Sequence, residues 1–258
     1  MMDRTETYDV VGSPKIDVTS TAGDIVVKPG TADQVKIVLS GHTETVENTL
    51  IEASADAVVV RSRAGNRSRG LFSRAMDITV TAPEGANLRV KSGSGDVRIR
   101  LGLDDVEVNS GSGDVRIDKE AGDVRVKIGS GRVVVAGAVR DATVSSGSGD
   151  VSIGYATDAV VKTASGTLVL GTINGSARIK SASGDVKVRD FRGSDLVIST
   201  MSGDTIIYLA PGRVVQARIK TLSGDFRNKV KPSSGEKTSK MSLDVKSFSG
   251  DVTLRTAK

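Results

Sequence analysis

A Ser-Gly pair recurs along this chain at a nearly constant interval, and that cadence restricts the fold more than any other feature. The pairs fall at Ser94-Gly95, Ser112-Gly113, Ser130-Gly131, Ser148-Gly149, Ser165-Gly166, Ser183-Gly184, Ser202-Gly203, Ser223-Gly224 and Ser249-Gly250, spaced by 18, 18, 18, 17, 18, 19, 21 and 26 residues. A period this short and regular signals supersecondary units stacked on one another.

After five of the nine glycines the chain reads polar-apolar-polar-apolar, as in Asp96-Val97-Arg98-Ile99, Asp114-Val115-Arg116-Ile117 and Asp185-Val186-Lys187-Val188. Alternation with period two is the mark of a strand with one buried face. Across the nine repeats, sixteen of the eighteen inward positions are apolar, so this face is a core. Half a period later a second alternating run appears, with Val106 and Val108, Val124 and Val126, Leu196 and Ile198, or Leu243 and Val245. No helical periodicity with caps is present. The expected fold is therefore all-β: a parallel β-solenoid, or β-helix, of about 18 residues and two short strands per coil. The preference for right-handed parallel crossovers sets the expected hand.

The whole chain, 1–258, reads as a single solenoid domain. Residues 1–75 form its less regular N-terminal part, and 76–258 its regular coils. Gly23-Asp24 and Ser40-Gly41 are expected to continue the register toward the amino end, and Leu50 to Ala55 to pair with Ala57 to Arg61 as a hairpin around Asp56. Eleven or twelve coils in chain order would make a rod on the order of 55 Å.

The corner glycine is expected to hold positive φ, and the serines beside it to hydrogen-bond along the stack. The residue two before each glycine grows from Gly93, Gly111, Gly129 and Gly147 through Ala164 and Ala182 to Met201, Leu222 and Phe248. It reads as an interior position that widens and plugs the last coil, leaving the final edge to be guarded by Arg255 and Lys258 or stacked on another copy. The aspartates after the glycine would repel by roughly 1 kcal/mol per neighbouring pair even in water. Backbone N–H groups in Asx-turn fashion, a base two places on (Arg98, Arg116, Lys187, Arg227), or a cation could offset this.

Composition removes several chemistries. With no Cys, no Trp, one His and seven Phe plus Tyr in 258 residues, the chain has no thiol nucleophile, no disulfide framework, no histidine-built metal centre and few rings for stacking sugars or bases. No cofactor site is expected. A calcium-binding β-roll wants two acidic half-coils and six to eight oxygens per ion, whereas this chain offers one Asp per coil beside a base. A polysaccharide-active β-helix enzyme needs a carboxylate pair that breaks the repeat, and here the carboxylates repeat with it.

Charge gathers in two segments. Residues 61–74 carry five Arg and no acid, and residues 226–240 carry five bases and Glu236, so of the net +5 the remainder of the chain holds −4. Arg61, Arg63, Arg67, Arg69 and Arg74 in the first basic loop, and Arg227, Lys229 and Lys231 in the second insert, are the candidate contacts for an anionic membrane or nucleic acid. Solvated loops are the plainer reading. Met1 to Ser20 holds no apolar run behind basic residues, and no stretch approaches the roughly 18 apolar residues of a membrane span, so the chain as it stands is expected in the cytoplasm.

The SGSGDVRI units, the Tyr8-Asp9-Val10 to Ile25-Val26-Val27 stretch with its Gly23-Asp24, and the strand Thr79-Val80-Thr81-Ala82-Pro83-Glu84-Gly85 resemble the bacterial "putative adhesin" family of β-strand-repeat domains of unknown function. The resemblance spans nearly the whole chain. It implies a parallel β-helix, a non-enzymatic scaffold or interaction role, and in some bacteria an association with the cell envelope and its stress response. The resemblance carries no catalytic residue. The expected partner is a protein or cell surface, and the exposed final edge adds end-to-end or edge self-association.

Overall fold

The computed structural model describes residues 1–62, 75–230 and 239–257. The chain forms two compact units, Met1–Arg132 and Val133–Lys258. Both are built almost wholly of strands, most of which pair in parallel with strands of neighbouring coils, while β1, β4 and β5 of the first unit pair antiparallel.

The first unit holds β1 (Met2–Asp9), β2 (Lys15–Ala22), β3 (Ile25–Pro29), β4 (Gln34–Gly41), α1 (Thr43–Glu47), β5 (Leu50–Ala53) and β6 (Ala57–Arg61). It continues with β7 (Met76–Ala82), β8 (Ala86–Ser94), β9 (Val97–Ile99), β10 (Leu103–Ser112), β11 (Val115–Ile117) and β12 (Ala121–Ser130). One wall runs β5, β6, β2, β8, β10, β12, and the other β1, β4, β7, β3, β9, β11. Between the walls lie the predicted inward residues: Val97, Ile99, Val106, Val108, Val115 and Ile117 are all at most 1% exposed. Each such side chain contributes roughly 1.5–3 kcal/mol on burial.

Coil order departs from chain order here. The coil of β2 and β3 lies between that of β6 and β7 and that of β8 and β9, so β4, β5, β6 and β7 build the end of the unit before β8 and β9 join the opposite side of that coil. Ser40-Gly41 does not continue the register. It closes β4, which runs antiparallel to β7 and to β1, and Gly41 faces Met76. The hairpin of β5 and β6 is present as expected, with Ile51 opposite Val60.

The single-turn α1, with Val46 fully buried, had no signal in the periodicity because five residues make little more than one turn. Arg4 ties β1 to it, donating to the Thr49 carbonyl at 2.8 Å and to Glu6 Oε1 at 2.6 Å, while the Tyr8 hydroxyl donates to the other Glu6 oxygen. Burial and the Glu6 carboxylate together push the Tyr8 hydroxyl up to about 12.

The second unit holds β13 (Val133–Ser148), β14 (Val151–Ser165), β15 (Leu168–Ile173), β16 (Ser176–Ser183), β17 (Val186–Phe191) and β18 (Asp195–Ser202). After them come β19 (Thr205–Leu209), β20 (Arg213–Ser223), β21 (Phe226–Lys229), β22 (Ser239–Ser249) and β23 (Val252–Thr256). β13 and β14 are long because each turns the corner and supplies a strand to both walls. The stack ends with the same transposition. β22 lies between β18 and β20, and β23 between β19 and β21, so the coil 239–256 sits inside and the coil 213–229 outside. The chain's last strand is therefore covered on both sides, and Arg255 guards no edge; its guanidinium lies 5.8 Å from the Tyr208 ring centroid. Lys258 lies outside the described residues.

The corner glycines show why one residue type recurs there. Gly113 has φ 107°, and a Cβ on it would come within 2.3 Å of the Gly95 carbonyl oxygen in the coil beneath. The same approach orders the second unit's end, since a Cβ on Gly250 would meet Gly203 and one on Gly224 would meet Gly250.

Two measurements check this arrangement. Gly113→Ala combines a strained φ with a backbone collision and is expected to lose at least about 2 kcal/mol in denaturant unfolding. Gly85→Ala, at φ 75° with nothing nearer than 3.8 Å, should lose less. For the coil order, the pair Ser199→Cys with Lys246→Cys occupies register partners about 4.8 Å apart and should oxidise to a disulfide in the folded chain. Ser199→Cys with Lys220→Cys, two strand spacings or about 9.6 Å apart, should stay reduced; winding in chain order would reverse the two results.

Candidate functional site

Three rows of side chains run up the coils near the glycine corner, one acidic, one of hydroxyls and one basic. The acidic row answers how stacked carboxylates coexist. Asp77 Oδ1 accepts the Asp24 N–H, Asp24 Oδ1 the Asp96 N–H and Asp96 Oδ1 the Asp114 N–H, each at 2.9 Å, and Asp114 ends the row on Arg132 at 2.8 Å. In the second unit Asp185, Asp204 and Asp251 do the same for Asp204, Asp251 and Asp225. The bond runs to the next coil, not to the aspartate's own turn. A hydrogen bond to a charged acceptor contributes roughly 1.5–3 kcal/mol, enough to outweigh the neighbour repulsion.

Some bases add to this. Arg98 reaches Asp96 at 2.6 Å and Asp24 at 3.4 Å, and Arg227 bridges Asp225 and Asp251 at 3.1 Å each, whereas Arg116 turns to Asp118. Among the described residues no group of three or more His, Asp or Glu is placed to hold a metal ion.

The hydroxyl row belongs to the residues three before the corner glycines, which point inward, with Ile128 the one apolar member. Ser92, Ser110, Ser146 and Thr163 are buried and donate to the carbonyl two residues on, at 2.9–3.3 Å. These bonds are local and do not run along the stack. Ser181, Thr200, Ser247 and Thr221, neighbours in register, have buried hydroxyls with no partner in the protein.

Side chains alternate across a strand, so the next residue must point outward. The position expected to plug the core is thus on the surface: Met201, Leu222 and Phe248 are 64%, 74% and 61% exposed.

The outward position four before each glycine carries the basic row. In the first unit it reads Arg61, Thr19, Lys91, Asn109, Lys127 in stacking order, and in the second Ser145, Lys162, Lys180, Ser199, Lys246, Lys220. No acid stands in either. In the sequence the row is six lysines at this offset, scattered among the repeats and less conspicuous than the clustered bases of the two loops.

In the second unit the row borders an open groove of about 850 Å³. Lys162, Lys180 and Lys246 line it beside Met201 and Phe248, with Ser181, Thr200 and Ser247 beneath. The smaller groove of the first unit, about 400 Å³, crosses a row of alternating sign, Asp17, Arg89, Glu107 and Arg125, which neutralises itself.

Of the loop residues singled out in the sequence, Arg61 is exposed and 3.8 Å from Glu52, Arg227 is held by two aspartates, and Lys229 is exposed at the end of β21. Arg63, Arg67, Arg69, Arg74 and Lys231 lie outside the described residues.

Repeated rows on stacked coils, with the carboxylates engaged by main chain, define an all-β, β-solenoid-like repeat protein. The chain belongs to the Toastrack DUF4097 family, whose model matches residues 14–255. No curated protein matches it. Fourteen solved chains do. A putative adhesin from Parabacteroides merdae shares 11% identity at a TM-score of 0.54, covering 96% of this chain and 95% of its own. A putative lipid binding protein from Parabacteroides distasonis shares 17% at 0.52, covering 99% and 97%. A putative adhesin from Bacteroides fragilis shares 18% at 0.48, covering 98% and 97%. At these identities the likeness is one of fold.

The acidic row has a direct test. Asp24→Ala removes the acceptor of the Asp96 N–H and is expected to cost about 1 kcal/mol in unfolding free energy, while Asp24→Asn keeps an acceptor oxygen and should cost less than half of that.

Proposed function

We propose that the chain is a non-enzymatic, adhesin-like interaction module of the cell envelope, wound as a right-handed parallel β-helix. The observation that carries this reading is where the chemistry goes. The most repeated reactive groups, the aspartates, are spent on bonds between coils, and the outward rows repeat the same polar side chains instead of converging on one centre. The right hand follows from the general preference of parallel crossovers. An adhesin-like role agrees with the neighbour from P. merdae. Among the described residues no helix is long and apolar enough to cross a membrane.

The groove of the second unit favours a more specific reading, contact with an anionic lipid surface. Lys162, Lys180 and Lys246 supply charge, Met201 and Phe248 supply an apolar strip, and three buried hydroxyls there lack acceptors. The strands beneath the groove are paired on both sides, so they offer an extended peptide no free backbone partner, whereas an acyl chain needs none. The lipid-binding neighbour from P. distasonis agrees with it.

Cosedimentation with vesicles decides the matter. Vesicles containing phosphatidylglycerol should bind the chain and phosphatidylcholine alone should not, with binding weakening as salt rises. Lys162→Gln with Lys180→Gln and Lys246→Gln should weaken it at least ~10-fold, about 1.4 kcal/mol. Changing Arg61, Arg63, Arg67, Arg69 and Arg74 to Ser should leave most of the affinity; the reverse pattern assigns binding to the loop, and no binding to either vesicle overturns the lipid reading.

A further inference from the structure

The outermost coil of the second unit, residues 213–229, is finished differently from every coil beneath it. β20 pairs with β22 on one side and β21 with β23 on one side, and neither has a second partner among the described residues. About every second residue of the eleven in β20 therefore presents its N–H and C=O along the free edge.

The core is open at the same place. Leu243, Val245 and Val252 are at most 1% exposed, yet their register partners one coil out are an exposed Ala217, a half-buried Ile219 and a Phe226 that is 46% exposed. Leu222 and Val214 add further apolar surface on this coil. The first unit shows how this fold closes an end when it closes one: β4 and β1 run antiparallel across it, and Val35, Ile37, Leu39 and Val46 are fully buried there.

Charge decides what can cover the open edge. The coil carries Arg213, Arg218, Lys220, Arg227 and Lys229 against one acid, Asp225, and that acid is already held by Arg227. Two copies meeting edge to edge would bring two such sets together, each close pair costing roughly 1 kcal/mol even in water. An acidic strand would meet the opposite sign at alternate positions while satisfying the free backbone groups.

We infer that this edge is a docking site for an extended, acidic segment of another protein, which adds a strand to β20 and closes the open core. It uses the free edge of β20 and not the groove itself, whose lining includes no residue of that strand, so either reading can fail alone.

The test uses the full chain and a fluorescent ten-residue peptide alternating Glu with Val. The peptide should bind, protect the β20 amides in hydrogen exchange, and outbind its Lys-Val counterpart at least tenfold. N-methylation of alternate peptide amides should abolish binding. Arg218→Glu with Lys220→Glu, both on exposed side chains, should reverse the charge preference, and a cooperative melt near the parent's confirms that this variant folds.

Equal binding of both peptides, or indifference to N-methylation, overturns the proposal. So does full protection of the β20 amides in the peptide-free monomer, which means the chain covers its own edge, or a dimer in sedimentation whose formation protects them, which gives the edge to a second copy.

Discussion

A carbonyl oxygen sits where a Cβ would be at the corner of nearly every coil, and the rest of the architecture follows from that contact. At Gly113 the Gly95 oxygen leaves no room for any side chain, and φ near 107° excludes L-residues a second time. With the corner fixed, the residue after it falls at the same height in every coil, so each aspartate meets the N–H of the next. The residues before it alternate inward and outward in step. One backbone constraint thus sets the register of acid, hydroxyl and base alike.

The cadence and the two-residue alternation made the coil, its two strands and its core residues legible before any coordinates. What they could not carry was the order of the coils. A repeat states which positions are equivalent, and equivalent positions can stack in any sequence that keeps the register. Thus the coil of β22 and β23 can lie inside that of β20 and β21 with every glycine still above a glycine. The misplacement of Met201 and Phe248 had a different cause. Their growth in size suggested core filling, but parity outranks size: with Thr200 and Ser247 turned inward, the next residue has nowhere to go but out.

The candidate surface was half legible for a related reason. Clustered arginines stand out in a linear reading, whereas the lysines of the basic row are separated by 17 or more residues and become neighbours only through stacking. A ladder's charge density is a property of the fold. Lys162 and Lys180 are isolated along the chain and adjacent in space, while the arginines near Arg61 are conspicuous along the chain whatever their surroundings.

The interleaved end of the second unit has a kinetic consequence. As the polypeptide emerges during synthesis, residues 213–229 are available before 239–256, and their repeat matches the seat on β18 and β19 that the later segment finally takes. A nascent chain can fill that seat with the earlier coil and must then vacate it. Wherever the earlier coil docks first, completion of the unit requires an exchange of strands, a step of the kind that traps repeat proteins in near-native forms.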